Sequence, residues 1–101
     1  MIKQSKQISF VIPVYNEEHN IISLLEEIQC YCKEYNVIEF EIIIIDDGSS
    51  DNTPMVIKNY CLQNDKIIFY KLRKNFGKST ALKVGFETAK FDYIITLDGD
   101  L

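Results

Sequence analysis

Four consecutive isoleucines, Ile42 to Ile45, run without interruption into Asp46-Asp47-Gly48-Ser49-Ser50-Asp51. An unbroken β-branched run of this kind marks a strand buried on both faces, and such strands belong to parallel sheets covered by helices. The carboxylates that follow must then emerge at one edge of that sheet. A second segment, Tyr93-Ile94-Ile95-Thr96-Leu97, ends the same way in Asp98-Gly99-Asp100. Two buried strands that deliver acids to the same edge build a carboxylate cluster over a crevice, where open α/β sheets take their ligands. Hard oxygen donors suit a divalent cation and the anionic groups that it neutralises. The chain stops at Leu101, directly after the second cluster, so the expectation is of a site begun and not completed.

The rest of the chain alternates strand and helix. Ile8 to Val14 reads as the first strand, with Pro13 at its end where a missing N–H is tolerable. Asn16 is placed to cap a helix with Glu17 and Glu18 in its first turn; Ile21, Leu24, Leu25, Ile28 and Cys32 recur at helical spacing as far as about Tyr35. Phe40 to Ile45 is the second strand. Gly48 to Asp51 turns into a helix that accepts Pro54 in its first turn and points Val56, Ile57, Tyr60 and Cys61 inward. Lys66 to Leu72 is the third strand, followed by a helix with Ala81, Leu82, Gly85, Phe86 and Ala89 on one side, and the fourth strand ends at Leu97. Right-handed crossovers then give a mostly parallel sheet with helices on both faces, a Rossmann-like three-layer α/β/α fold over residues 1–101, with strand order 3-2-1-4.

Composition excludes several classes. The 101 residues are 47% hydrophobic and 26% charged, enough for one small domain. A formal charge of -4 leaves no basic stripe, so no nucleic-acid partner is expected. No apolar run approaches the ~20 residues that span a bilayer, and no membrane span is expected in this chain. Cys30, Cys32 and Cys61 are odd in number and lack paired metal-ligand spacing. They read as free thiols in a reducing, cytoplasmic compartment.

Each motif also has a plain structural reading. Asp46 and Asp47 can be turn formers, and Pro13 to Glu18 a strand end with a helix cap. Asp98-Gly99-Asp100 resists that reading, because alternation in an extended segment turns both carboxylates the same way. Gly77-Lys78-Ser79-Thr80 invites a phosphate-loop reading, but the complete motif needs a glycine where Leu72 stands. A P-loop NTPase is therefore disfavoured. Lys78 and the N–H groups of that helix start keep the capacity to meet a phosphate, against the alternative of a solvated lysine. A receiver domain would put its acids after the first strand, and an Asp-x-Asp phosphatase would place its motif early. Neither matches the chain order.

Four pieces occur in order: Val11-Ile12-Pro13-Val14-Tyr15-Asn16-Glu17-Glu18, Ile44-Ile45-Asp46-Asp47-Gly48-Ser49-Ser50-Asp51, Arg73-Lys74-Asn75-Phe76-Gly77-Lys78 and Leu97-Asp98-Gly99-Asp100-Leu101. Together they closely resemble the N-terminal, nucleotide-binding half of family 2 glycosyltransferases of the GT-A fold, and most of all the polyprenyl-phosphate branch typified by dolichol-phosphate-mannose synthase. The resemblance implies a nucleotide-sugar-binding half of a transferase, cut after the Asp-x-Asp motif. It implies that Pro13, Tyr15 and Glu17 line the nucleotide pocket, that Asp46 hydrogen-bonds base or ribose with Asp47 or Ser49 nearby, and that Lys78 lies near the nucleotide. Asp98 would face ribose or metal-bound water, and Asp100 would bind Mg²⁺ or Mn²⁺; both are carried as metal candidates.

By the same resemblance the donor is a nucleotide-diphospho-sugar, and the acceptor a polyprenyl phosphate or another glycan or lipid at the cytosolic membrane face. The general base and acceptor site are expected beyond Leu101, so this chain alone is expected to be inactive. Its last strand, left at the sheet margin, is expected to favour homo-oligomers through an exposed edge. A sugar-phosphate nucleotidyltransferase, which usually has a Gly-rich basic loop after its first strand, and a non-catalytic nucleotide-binding α/β module are the alternatives.

Overall fold

The computed structural model describes residues 7–99. Its elements alternate as β1 (Gln7–Val14), α1 (Ile21–Glu34), β2 (Glu39–Asp46), α2 (Thr53–Cys61), β3 (Ile67–Lys71), α3 (Lys78–Thr88) and β4 (Tyr93–Thr96). The four strands form one parallel sheet in the order β3-β2-β1-β4, the order of a doubly wound sheet. Val14 pairs with Asp46 and Asp46 with Lys71, so β1, β2 and β3 end side by side.

Alternation along the two central strands divides the core. Ile8, Phe10, Ile12, Val14, Ile42 and Ile44 face α1 and α2, where they meet Ile21, Leu25, Ile28 and Ile57. Val11, Ile43 and Ile45 face the other way, onto Ala81 of α3. Ile42 to Ile45 have no exposed surface at all, and each such side chain contributes roughly 1.5–3 kcal/mol of burial. α3 lies close to the sheet because Gly85 has no side chain: a Cβ there would stand 2.3 Å from Val11 Cγ1.

Three local expectations are corrected. Asn16 does not cap α1. Its backbone is left-handed (φ 54°), and its Oδ1 accepts the N–H groups of Ser50 (2.8 Å) and Asp51 (3.2 Å) across the molecule. The helix starts at Ile21, after a turn in which the Glu17 carbonyl accepts from Asn20 and Ile21, so Glu17 and Glu18 precede the helix. Phe86 is exposed on the outside of α3, whose buried positions are Ala81 and Gly85. The strand before Asp98 is not buried on both faces: β4 is the sheet margin, with Tyr93, Ile94 and Thr96 exposed and only Ile95 half-buried.

The three cysteines are free, with Cys30 exposed and Cys32 buried. Burial raises the thiol pKa of Cys32 and Cys61, which keeps both protonated and inert. No described helix is long and apolar enough to cross a membrane.

Candidate functional site

A cleft of about 270 Å³ opens at the carboxyl ends of β1, β2 and β4, lined by Pro13, Val14, Tyr15, Glu17, Asp47, Lys78, Asp98 and Gly99. Six residues singled out from the sequence, Pro13, Tyr15, Glu17, Asp47, Lys78 and Asp98, thus come together on one surface. Asp46 and Ser49 do not line it. Asp100 lies outside the described residues.

The division between the two adjacent acids follows from strand alternation. Asp46 has the parity of Ile42 and Ile44 and turns under the loop toward α2. It is fully buried, and its carboxylate accepts the Ser49 N–H (3.0 Å) and the Ser49 hydroxyl. Asp47 has the parity of Ile43 and Ile45 and turns toward α3. Its two oxygens accept the N–H groups of Phe76 (2.8 Å) and Gly77 (3.0 Å), at the unsatisfied start of that helix. The Asp47 carbonyl also accepts the Asn75 amide. Gly48 completes the grip: its φ is +75°, and a Cβ there would come within 2.3 Å of the Lys74 carbonyl carbon. The loop after β2 and the loop after β3 are therefore packed backbone to backbone.

The same loop is tied on its other side to the segment after β1. Besides the Asn16 bonds, the Ser49 hydroxyl accepts the Asn16 N–H (2.8 Å), Thr53 Oγ1 accepts the Glu17 N–H (2.9 Å) and Glu18 accepts the Asn52 N–H (3.3 Å). Asn16 and Thr53 are functional supports that the sequence reading did not assign. Asp51 anchors Thr53 through the threonine's N–H (2.9 Å) and hydroxyl. Slight burial raises the Asp51 carboxyl pKa, but the hydrogen bonds involving Thr53 and Glu18 outweigh it and hold the group below its ordinary value of 3.8.

The β4 side of the cleft is made differently. Lys78, the first residue of α3, donates to Asp98 Oδ1 across the mouth, and both side chains are 61% exposed. Glu17 Oε1 accepts from Asn20 Nδ2 (3.0 Å). Tyr15 is 46% exposed at the lip, an aromatic face open to a flat ligand. Among the described residues no three His, Cys, Asp or Glu side chains converge as a metal cage.

The matching family model, described as glycosyl transferase family 2, covers residues 9–101. An undecaprenyl-phosphate 4-deoxy-4-formamido-L-arabinose transferase of Aeromonas hydrophila is 41% identical over 97 residues, which are 95% of this chain and 29% of that protein. The chain thus spans less than a third of the length of such curated relatives. Among solved structures, S. aureus TarS 1-349 in complex with UDP superposes with a TM-score of 0.79 at 25% identity, over 94% of this chain and 28% of that one. Mannosyltransferase PcManGT from Pyrobaculum calidifontis, in complex with GDP-Man and Mn²⁺, gives 0.84 at 22% identity, over 96% and 28%, a likeness of fold.

Proposed function

The chain belongs to glycosyl transferase family 2, with its GT-A type of sheet, and from that premise we propose that the cleft holds the nucleoside diphosphate of a sugar donor. One observation carries the proposal: Pro13, Tyr15, Glu17, Asp47, Lys78 and Asp98 converge on a single cleft at the carboxyl ends of parallel strands. In this reading Tyr15 and Pro13 offer the apolar wall for the base, and Glu17 and Asp47 offer acceptors to base or ribose. Asp46 and Ser49 act from below, by shaping the loop, rather than by touching the donor. Lys78 sits where it can meet the diphosphate, beside the helix start whose Phe76 and Gly77 N–H groups are held by Asp47.

Departure of a nucleoside diphosphate leaves negative charge on its phosphates, and cationic groups placed there stabilise that charge. Lys78 is the cation among the described residues that line the cleft. Asp98, with Asp100 following it in sequence, would hold Mg²⁺ or Mn²⁺ against the same phosphates, and the bound metal would add Lewis-acid neutralisation. Transfer to a polyprenyl phosphate at the cytosolic face of a membrane is the acceptor reading, supported by the name of the A. hydrophila relative. The described residues provide donor contacts, and the 101-residue polypeptide is proposed to bind donor without transferring sugar.

Calorimetric titration with UDP and GDP, with and without Mn²⁺, tests the reading. Binding that strengthens with Mn²⁺ and is lost in Asp98→Asn is expected. Failure of both nucleotides to bind in either condition overturns it.

A further inference from the structure

Strands β1 and β2 carry a buried polar pair at the end remote from the cleft. Ser9 and Glu41 stand opposite each other in the pairing of the two strands, with no exposed surface on the serine and 7% on the glutamate. They share the parity of Val11 and Ile43, so they face the α3 side of the sheet. The Ser9 hydroxyl donates to Glu41 Oε2 (2.6 Å), and the pair then receives the chain that joins α3 to β4: the Lys90 N–H donates to Glu41 Oε2 (2.6 Å) and the Phe91 N–H to Ser9 Oγ (3.1 Å). A carboxylate is costly to bury beside an apolar run unless it is bonded in this way. The donor contacts proposed above make no use of it.

What lies above the pair needs a fixed register. β4 pairs with β1 from Ile8–Tyr93 to Val11–Thr96, the Leu97 N–H then donates to the Val11 carbonyl (3.1 Å), and Gly99 is seated against the end of β1, where a Cβ would stand 2.7 Å from Val14 Cγ1. Asp98 is carried between those last two points. Yet the sequence of β4 specifies this alignment weakly: Ile94 and Ile95 are adjacent, and only Ile95 of the four strand residues is half-buried. A one-residue slip would exchange the two isoleucines at little cost in burial and carry Asp98 away from Lys78. We propose that Ser9 and Glu41 are positioning residues that pin the start of β4 to the two central strands, and so decide that Asp98 is the residue delivered to the mouth of the cleft. Setting register is the best-attested service of a buried polar group in an apolar core. The pinning is independent of what the cleft binds; its effect on a nucleotide rests on the donor-site reading.

A register device and a simple contribution to stability respond differently when both partners become apolar. Ser9→Ala/Glu41→Met removes the buried polar atoms together, keeps side-chain volume nearly constant, and leaves the N–H groups of exposed Lys90 and half-buried Phe91 to water; such paired replacements are nearly neutral for stability. Its urea midpoint should therefore stay near that of the parent. Hydrogen exchange followed by NMR should nevertheless show the Leu97 amide losing about tenfold or more of its protection while the amides of β2 keep theirs. Nuclear Overhauser contacts between Gly99 and Val14 should weaken, and UDP or GDP affinity should fall about as far as in Asp98→Asn, with no further loss when the changes are combined. Ser9→Ala alone, which frees Phe91 but leaves Glu41 on Lys90, should lie between, and it decides the matter if circular dichroism shows the double variant unfolded. Undiminished Leu97 protection in the folded variant overturns the positioning role and leaves the donor site standing. Lost protection with unchanged nucleotide affinity overturns it as well. Failure of the parent to bind either nucleotide, with Leu97 protection lost in the variant, overturns the donor-site reading and leaves the pinning in place.

Discussion

The two banks of the cleft are built by opposite means. On the β2 bank a fully buried strand hands its chain to a loop whose every turn is fastened: Asp46 to Ser49, Asn16 to Ser50 and Asp51, Thr53 to Glu17, Asp47 to Phe76 and Gly77. On the β4 bank a short marginal strand with three exposed positions carries Asp98, held by one solvent-exposed ion pair. The first bank is fixed by hydrogen bonds before anything binds, whereas the described part of the second rests on an exposed strand and an exposed ion pair.

The contrast can be broken most decisively in the core beneath each bank. Ile44→Ala, under the β2 loop, should cost about 2–5 kcal/mol in urea denaturation. Ile95→Ala on β4, half-buried, should cost less than half as much. Equal losses would mean that β4 is as firmly built as β2. Gly48→Ala comes next: a Cβ 2.3 Å from the Lys74 carbonyl carbon, at a left-handed φ, should cost on the order of 1–3 kcal/mol and weaken nucleotide binding as well, because the Lys78 end of the cleft rests on this contact.

Acid sharpens the comparison further. Asp51 is held below its ordinary 3.8 in the folded chain, so the folded state binds fewer protons there than the unfolded state does. Its contribution is complete above that ordinary value and disappears as the pH falls through the lower, folded one. Asp51→Asn should therefore lower stability at neutral pH and flatten the acid limb of the stability curve, as read by thermal melts from pH 2 to 7. An unchanged limb would detach Asp51 from the scaffold. The smallest effect belongs to the loose bank: Lys78→Met or Asp98→Asn should change stability by less than about 1 kcal/mol, since the pair is exposed. A larger loss would show that the ion pair is part of the scaffold after all.

The strand order was legible in the sequence because it follows from strand–helix alternation in a doubly wound sheet, and the shared edge of Asp47 and Asp98 from where acids stand relative to strand ends, whereas Pro13, Tyr15, Glu17 and Lys78 were singled out by the family resemblance of their motifs. What was not legible depends on distant partners. Asn16 has the composition of a cap, but its acceptor is spent on N–H groups from another loop, and no local pattern announces that. Adjacent aspartates must face opposite ways, yet the sequence does not say which of Asp46 and Asp47 turns to α3 until α3 has a side. Phe86 follows Gly85 at the border of the helical stripe, and the close seat of Gly85 on Val11 rotates it outward. The apolar letters of Tyr93 to Leu97 resemble those of β2, and only the strand order reveals that one is central and the other marginal.

That order also fixes a sequence in time. β1 meets β2 after one intervening helix, but its other neighbour is β4, so Ile8 must wait for Tyr93 before its second edge is closed. Closing the longer loop costs more chain entropy, and contacts of such separation form late. During synthesis the β1–β2–β3 sheet can assemble first, with one flank of β1 bare until β4 arrives. Asp98 and Gly99, which line the cleft, follow β4 directly, so among the described residues this side of the cleft is the last to be synthesised.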